Sequence, residues 1–135
     1  MPKFSNIAIV IPVFEATKQL KSTVEDILLM EPAEIIVVDD GSTKISAEDV
    51  LIGIGNKKIT ILRHQENKGK GSALKTAFKY CLSVKSNLQG IITMDADGQH
   101  LTKDVISVQS TASSSPKSIV IGSRDFKSKN GIFIM

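Results

Sequence analysis

Five short runs of mostly β-branched apolar residues recur along this chain, each separated from the next by helical periodicity or turn chemistry. They are "IAIVI" (7–11), ended by Pro12, then "EIIVVDD" (34–40), "KITIL" (58–62), "GIITM" (90–94) and "SIVIG" (118–122). A run without polar alternation predicts a strand covered on both faces. Such strands belong to parallel sheets, whose neighbours must be joined by crossovers that are usually helical.

The intervening segments supply those crossovers. Thr17 is placed to cap a helix in which Leu20, Val24, Ile27 and Leu28 share one face, and Pro32 closes it. Ser46 with Asp49 three residues later predicts a capping pair ahead of Val50, Leu51 and Ile54. Ala73, Leu74, Ala77, Phe78, Cys81 and Leu82 form one stripe on the clearest helix. Thr102 is expected to cap a short helix through Val108, broken by the serine cluster before Pro116. The fold class expected is therefore α/β, a Rossmann-like, mostly parallel sheet with helices on both faces.

In such sheets ligands bind beyond the carboxyl ends of the strands. Those ends carry Pro12 to Glu15, then Asp39-Asp40-Gly41-Ser42, then Asp95-Ala96-Asp97, and finally Gly122-Ser123-Arg124. Residues i and i+2 of an extended chain point to the same side, so Asp95 and Asp97 offer two carboxylates to one point. At ~4 Å they repel by about 1–4 kcal/mol, a penalty that a divalent cation turns into attraction. Hard oxygen donors suit Mg²⁺ or Mn²⁺ with positions left for phosphate oxygens, and Gln99 can add a third oxygen. His100 beside the loop is read as a packing or hydrogen-bonding residue. Taken alone, Asp and Gly at a strand end are common turn formers, and Asp39-Asp40 could equally be a cap and a turn. As a ligand site, that pair would accept from a base or from ribose hydroxyls. In "NKGKGSALK" the helix start and Lys70 could face an anion, although neither a P-loop nor a G-x-G-x-x-G fingerprint is present.

Totals narrow the field. The 135 residues make one domain, with 17 basic against 14 acidic side chains and a net charge of +3. The charges are scattered and stacking aromatics are few (five Phe, one Tyr), so no nucleic-acid partner is expected. One cysteine, Cys81, excludes a disulfide framework and is read as core. No apolar run reaches the ~20 residues of a membrane span, and "MPKFSN" has no signal-peptide layout; a cytoplasmic domain is the expectation.

Five segments together, "IVIPVFEA", "EIIVVDDGST", "NKGKGSALKTAF", "ITMDADGQH" and "IVIGSRDF", resemble in order and spacing the nucleotide-binding half of family 2 glycosyltransferases, and among them the polyprenyl-phosphate (dolichyl-phosphate) mannosyl- or glucosyltransferases. The resemblance spans about residues 5–126. It implies a GT-A domain that binds a UDP- or GDP-linked sugar and Mg²⁺ or Mn²⁺, and inverting transfer of a hexose to an acceptor such as a polyprenyl phosphate. Carried over by position, Pro12, Phe14 and Glu15 line the base and ribose pocket. Asp40 bonds the base with Asp39 behind it, and Asp95 also faces the nucleotide; Lys70, read above from the helix start, is expected there too. Asp95, Asp97 and Gln99 hold the metal, and Arg124 serves the phosphates.

The same resemblance implies peripheral contact with the inner face of a membrane. Two departures stand out. Glu15 fills a slot that is commonly Asn and Ala16 one that is commonly Glu, and the chain ends at Met135, where an acceptor-binding half with any catalytic base would begin. Residues 1–135 are therefore expected to be a single donor-binding domain, truncated before that half. Binding a nucleotide sugar without transfer is accordingly an alternative. A third reading, a phosphatase using "MDADG", would need that motif on the first strand rather than the fourth.

Overall fold

A computed structural model of the chain describes residues 4–84, 87–96 and 102–114. Its elements run β1 (Ile7–Val13), α1 (Lys18–Leu28), β2 (Glu34–Asp39), α2 (Ala47–Leu51), β3 (Ile59–Arg63), α3 (Lys70–Val84), β4 (Gly90–Thr93) and α4 (Thr102–Ser114). Among the described residues the sheet has four strands in the order β3-β2-β1-β4, every pair parallel. The expected Rossmann-like α/β class is what the molecule adopts. The run at 118–122, expected as a fifth strand, lies outside the described residues.

The continuous apolar runs divide cleanly between the two faces of the sheet. Ile9, Ile11, Ile35 and Val37 pack against Leu20, Val24 and Ile27 of α1, Ala47 and Leu51 of α2 and Val105 of α4. Ala8, Val10, Ile36 and Val38 point the other way, onto Ala73, Ala77 and Cys81 of α3. Full burial of each such Ile or Val contributes on the order of 1.5–3 kcal/mol relative to exposure. The inward residues of α3 are all small, which brings that helix close to the sheet.

Several boundaries differ from the sequence expectation, for local reasons. β1 continues through Pro12 to Val13. Val10 accepts from Met94 of the β4 side and Val13 from Asp40 of the β2 side, so Pro12, in step with Val10, turns its missing N–H toward β4. The pairing with β4 stops at Val10–Thr93, and no ladder bond is lost. Thr17 holds the N-cap position of α1, but its hydroxyl makes no capping bond. Ser46 and Asp49 do form the reciprocal capping box of α2. α1 ends at Leu28 with Leu29 as its C-cap, and a left-handed Glu31 (φ +52°) follows before Pro32.

α4 does not stop at Val108 but reaches Ser114. The hydroxyls of Thr111 and Ser114 bond back to the carbonyls of Ser107 and Ser110, so these polar side chains find partners within the helix itself.

The chain order fixes where a ligand can sit. β1 to β2 to β3 moves outward in one direction; the α3 crossover then returns the chain to the other side of β1, where β4 lies. The strand order therefore reverses between the neighbours β1 and β4, although α1 and α4, which follow them, pack on the same face. That is the switch point at which open α/β sheets open a crevice.

Candidate active site at the carboxyl rim

A cleft of about 230 Å³ opens at this switch point, lined by residues 12–17, Gln19 and Leu20 after β1 and by Asp95 and Ala96 after β4. Four of the residues expected from sequence, Pro12, Phe14, Glu15 and Asp95, share its wall. Phe14 is 54% exposed, an aromatic residue largely open to solvent on the cleft lining. Because all described strands are parallel, Asp39, Asp40 and Asp95 stand on the same rim of the sheet.

The carboxylates behind the cleft are committed to the backbone. Asp39 is fully buried; one oxygen accepts from Ser42 N (2.9 Å), the other from Ala47 N (2.7 Å), the first residue of α2. Arg63, at the end of β3, lies 3.6 Å from it and donates to the Ser42 carbonyl at 2.8 Å. Asp40 is 3% exposed and accepts from His64 Nδ1 (2.6 Å), Lys68 N (3.0 Å) and Gly69 N (2.8 Å). Burial alone pushes its carboxyl up, but the Lys68 amide, the His64 ring and the Gly69 amide outweigh that and hold it below the usual range. His64 is fixed at its other nitrogen by Thr76 Oγ1 of α3 at 2.7 Å.

Asp40 thus anchors the loop 64–69 that leads into α3. A contact with a ligand's base, the role expected for it, would have to share these acceptors.

Glu15 departs furthest from its expected role. Its carboxylate accepts from the amides of Thr43 (2.7 Å), Lys44 (3.0 and 3.2 Å) and Ile45 (2.9 Å), and from the Thr43 hydroxyl at 3.2 Å. Its own amide donates to Ser42 Oγ at 2.8 Å. The Ile45, Thr43 and Lys44 amides lower its pKa from 4.5 to about 2. Glu15 lines the cleft with its backbone and stem, while its charged end closes a nest of three successive amides in the loop after β2.

Lys70 and Asp95 meet directly, Nζ to Oδ1 at 2.6 Å. Among the described residues no group of three His, Cys, Asp or Glu forms a metal cage. Mg²⁺ and Mn²⁺ sites that also use substrate phosphates need only one or two carboxylates. Asp95, partly exposed on the cleft wall and already holding a positive charge, fits that donor chemistry. Asp97, Gln99, His100 and Arg124 lie outside the described residues.

The profile of glycosyl transferase family 2 matches residues 8–135, nearly the entire chain. The chain belongs to glycosyltransferase family 2. It is 37% identical over 119 residues to an uncharacterised protein of Methanocaldococcus jannaschii, covering 87% of this chain and 46% of that one. It is 30% identical over 131 residues to the UDP-N-acetylglucosamine–dolichyl-phosphate N-acetylglucosaminyltransferase of Methanococcus voltae, covering 87% and 51%. An undecaprenyl-phosphate 4-deoxy-4-formamido-L-arabinose transferase of Yersinia enterocolitica is 35% identical over 119 residues, covering 82% and 34%. The chain thus spans about half or less of the length of these relatives.

Two residues of this family 2 domain's rim, Arg63 and His64, were missed by sequence reasoning. The available signal was position: both sit at the carboxyl end of β3, the one strand end from which no candidate was drawn.

Proposed function

We propose that this chain is the donor-binding domain of a metal-dependent, inverting glycosyltransferase that moves a hexose from a UDP- or GDP-linked sugar to a polyprenyl phosphate. The observation that carries the reading is that Phe14 and Asp95 line one cleft at the β1/β4 switch point, with Lys70 bonded to Asp95.

Phe14 offers a stacking face to the base and Pro12 shapes the pocket floor. Asp39, Asp40 and Glu15 hold the loops around that pocket, and Asp40 remains the proposed partner of the base. Lys70 meets the diphosphate and Arg124 the phosphates. Asp95, with Asp97 and Gln99, would hold Mg²⁺ or Mn²⁺, which when bound supplies Lewis-acid stabilisation of charge on the leaving diphosphate. A lipid-phosphate acceptor is itself anionic and needs no protein base. The relatives named for dolichyl- and undecaprenyl-phosphate transfer support that acceptor class. A lipid-phosphate acceptor would in turn bring the chain to a membrane surface, and its inner face is the proposed location. Among the described residues no helix is long and apolar enough to cross one.

Calorimetry with UDP- and GDP-sugars, with and without Mn²⁺, is the direct test. Metal-dependent binding of one nucleotide class is expected; a folded chain that binds neither refutes the reading. A second reading, donor binding without transfer, is favoured by the chain's coverage of only 46% and 51% of two relatives. Turnover assays on this chain and on a longer version separate the two, and transfer by this chain alone would exclude the second.

A further inference from the structure

Lys70 opens α3 and Asp95 follows β4, and the contact between them spans the switch point. Their side chains are 60% and 32% exposed, so the pair, of which Asp95 lines the cleft, is open to solvent rather than sealed in the interior. An ion pair that wet is held only weakly, equivalent to roughly a two- to fivefold change in an equilibrium constant. Lysine's compact charge on a flexible stem can also move several ångströms without disturbing the helix that carries it. The carboxylates of Glu15, Asp39 and Asp40 on the same rim accept backbone amides, and Lys70 reaches Asp95 Oδ1 with a side chain that can turn away.

We infer that Lys70 is an exchangeable counter-ion for Asp95. It offsets the charge of the carboxylate while the donor site is empty and turns to the diphosphate when a nucleotide arrives, so that it no longer competes with a divalent cation for Asp95 Oδ1. The inference rests on the donor-site reading above and adds a regulation to it. Cation and nucleotide each remove the other's competitor, so each raises the other's affinity, and by linkage the two gains are equal.

The test is calorimetric titration of the wild-type chain, K70A and K68A with Mn²⁺ alone, then with Mn²⁺ in saturating UDP or GDP. Lys68 is the control: an exposed lysine two residues away that touches Asp40 only through its backbone amide. K70A is expected to bind Mn²⁺ alone two- to fivefold more tightly than wild type, with K68A unchanged within twofold. The gain in Mn²⁺ affinity on adding nucleotide should be two- to fivefold smaller in K70A. Equal or weaker Mn²⁺ binding by K70A, or an effect of K68A as large as that of K70A, overturns the inference. If wild type binds neither nucleotide, the donor-site reading fails and the turn toward phosphate fails with it. Tighter Mn²⁺ binding by K70A in the same experiment would still establish competition at Asp95, so the two failures are distinguishable.

Discussion

Glu15 sits at φ +53°, in the left-handed region that Gly and Asn enter easily and Glu does not. Such strain costs on the order of 1–3 kcal/mol and persists only where surroundings over-determine it. Here three amides of the loop 43–45 do so, and only while the carboxyl is ionised do they all find a strong acceptor. The folded pKa lies at about 2 against 4.5 for the free group, so this stabilisation is fully present above about pH 4.5 and is lost as pH falls toward 2. E15Q should therefore unfold at lower urea than wild type at pH 7, and that gap should close between pH 4.5 and 2. A gap independent of pH across the window would show that charge is not what the loop uses.

Gly41 makes a separate prediction at the same scale. Its φ is +76°, and a Cβ there would fall 2.3 Å from Glu66 C and 2.5 Å from Asn67 N. Both contacts are with backbone, which cannot rotate aside. G41A should destabilise by at least about 1–3 kcal/mol in chemical denaturation, and a near-neutral value would mean that the turn and the loop 66–67 are not so closely apposed in solution.

At the scale of elements, α3 approaches the sheet through Ala73, Ala77 and Cys81, all buried, while Leu82 on its outer side is 84% exposed. The hydrophobic stripe read from the sequence is therefore only half core. Spacing identifies a face, but which side chains meet the sheet depends on how the helix is rolled. A77L should overpack that interface and cost about 1–3 kcal/mol, whereas L82S should stay within about 0.5 kcal/mol. Urea midpoints of the two variants check the roll of the helix directly. α4 offers a companion lesson: a serine cluster reads as a breaker by propensity, yet the helix runs on to Ser114 with the hydroxyls of Thr111 and Ser114 bonded to carbonyls four residues back.

For the whole molecule, the proposed donor site is assembled from loops following four different strands, β1 to β4, and each loop is tied to another. A ligand seated across the β1/β4 junction would bind the folded chain and not the unfolded one, and so must raise its stability. At a hundredfold excess over Kd the gain is about 2.7 kcal/mol, an upward shift of several degrees in Tm for a domain of this size. Thermal scans with UDP- and GDP-sugars plus Mn²⁺ should show it for one nucleotide class, and the shift should shrink in D95N, which keeps the shape but loses the charge. A shift unchanged in D95N would move the cation elsewhere.

The sequence by itself determined the parallel α/β architecture, since unbroken apolar runs with helical crossovers leave few other ways to bury both faces. It likewise determined that Pro12, Phe14, Glu15, Asp39, Asp40 and Asp95 would gather at one rim, because parallel strands all end on the same side. Only the tertiary structure decided what those carboxylates do. Asp40 finds His64 and the Lys68 amide, Glu15 finds the amides of residues 43–45, and Lys70 finds Asp95, across 24 to 30 positions of chain. Periodicity and local motifs act over a few residues, whereas these bonds exist only because separate loops are brought within 3 Å of one another by the sheet beneath them.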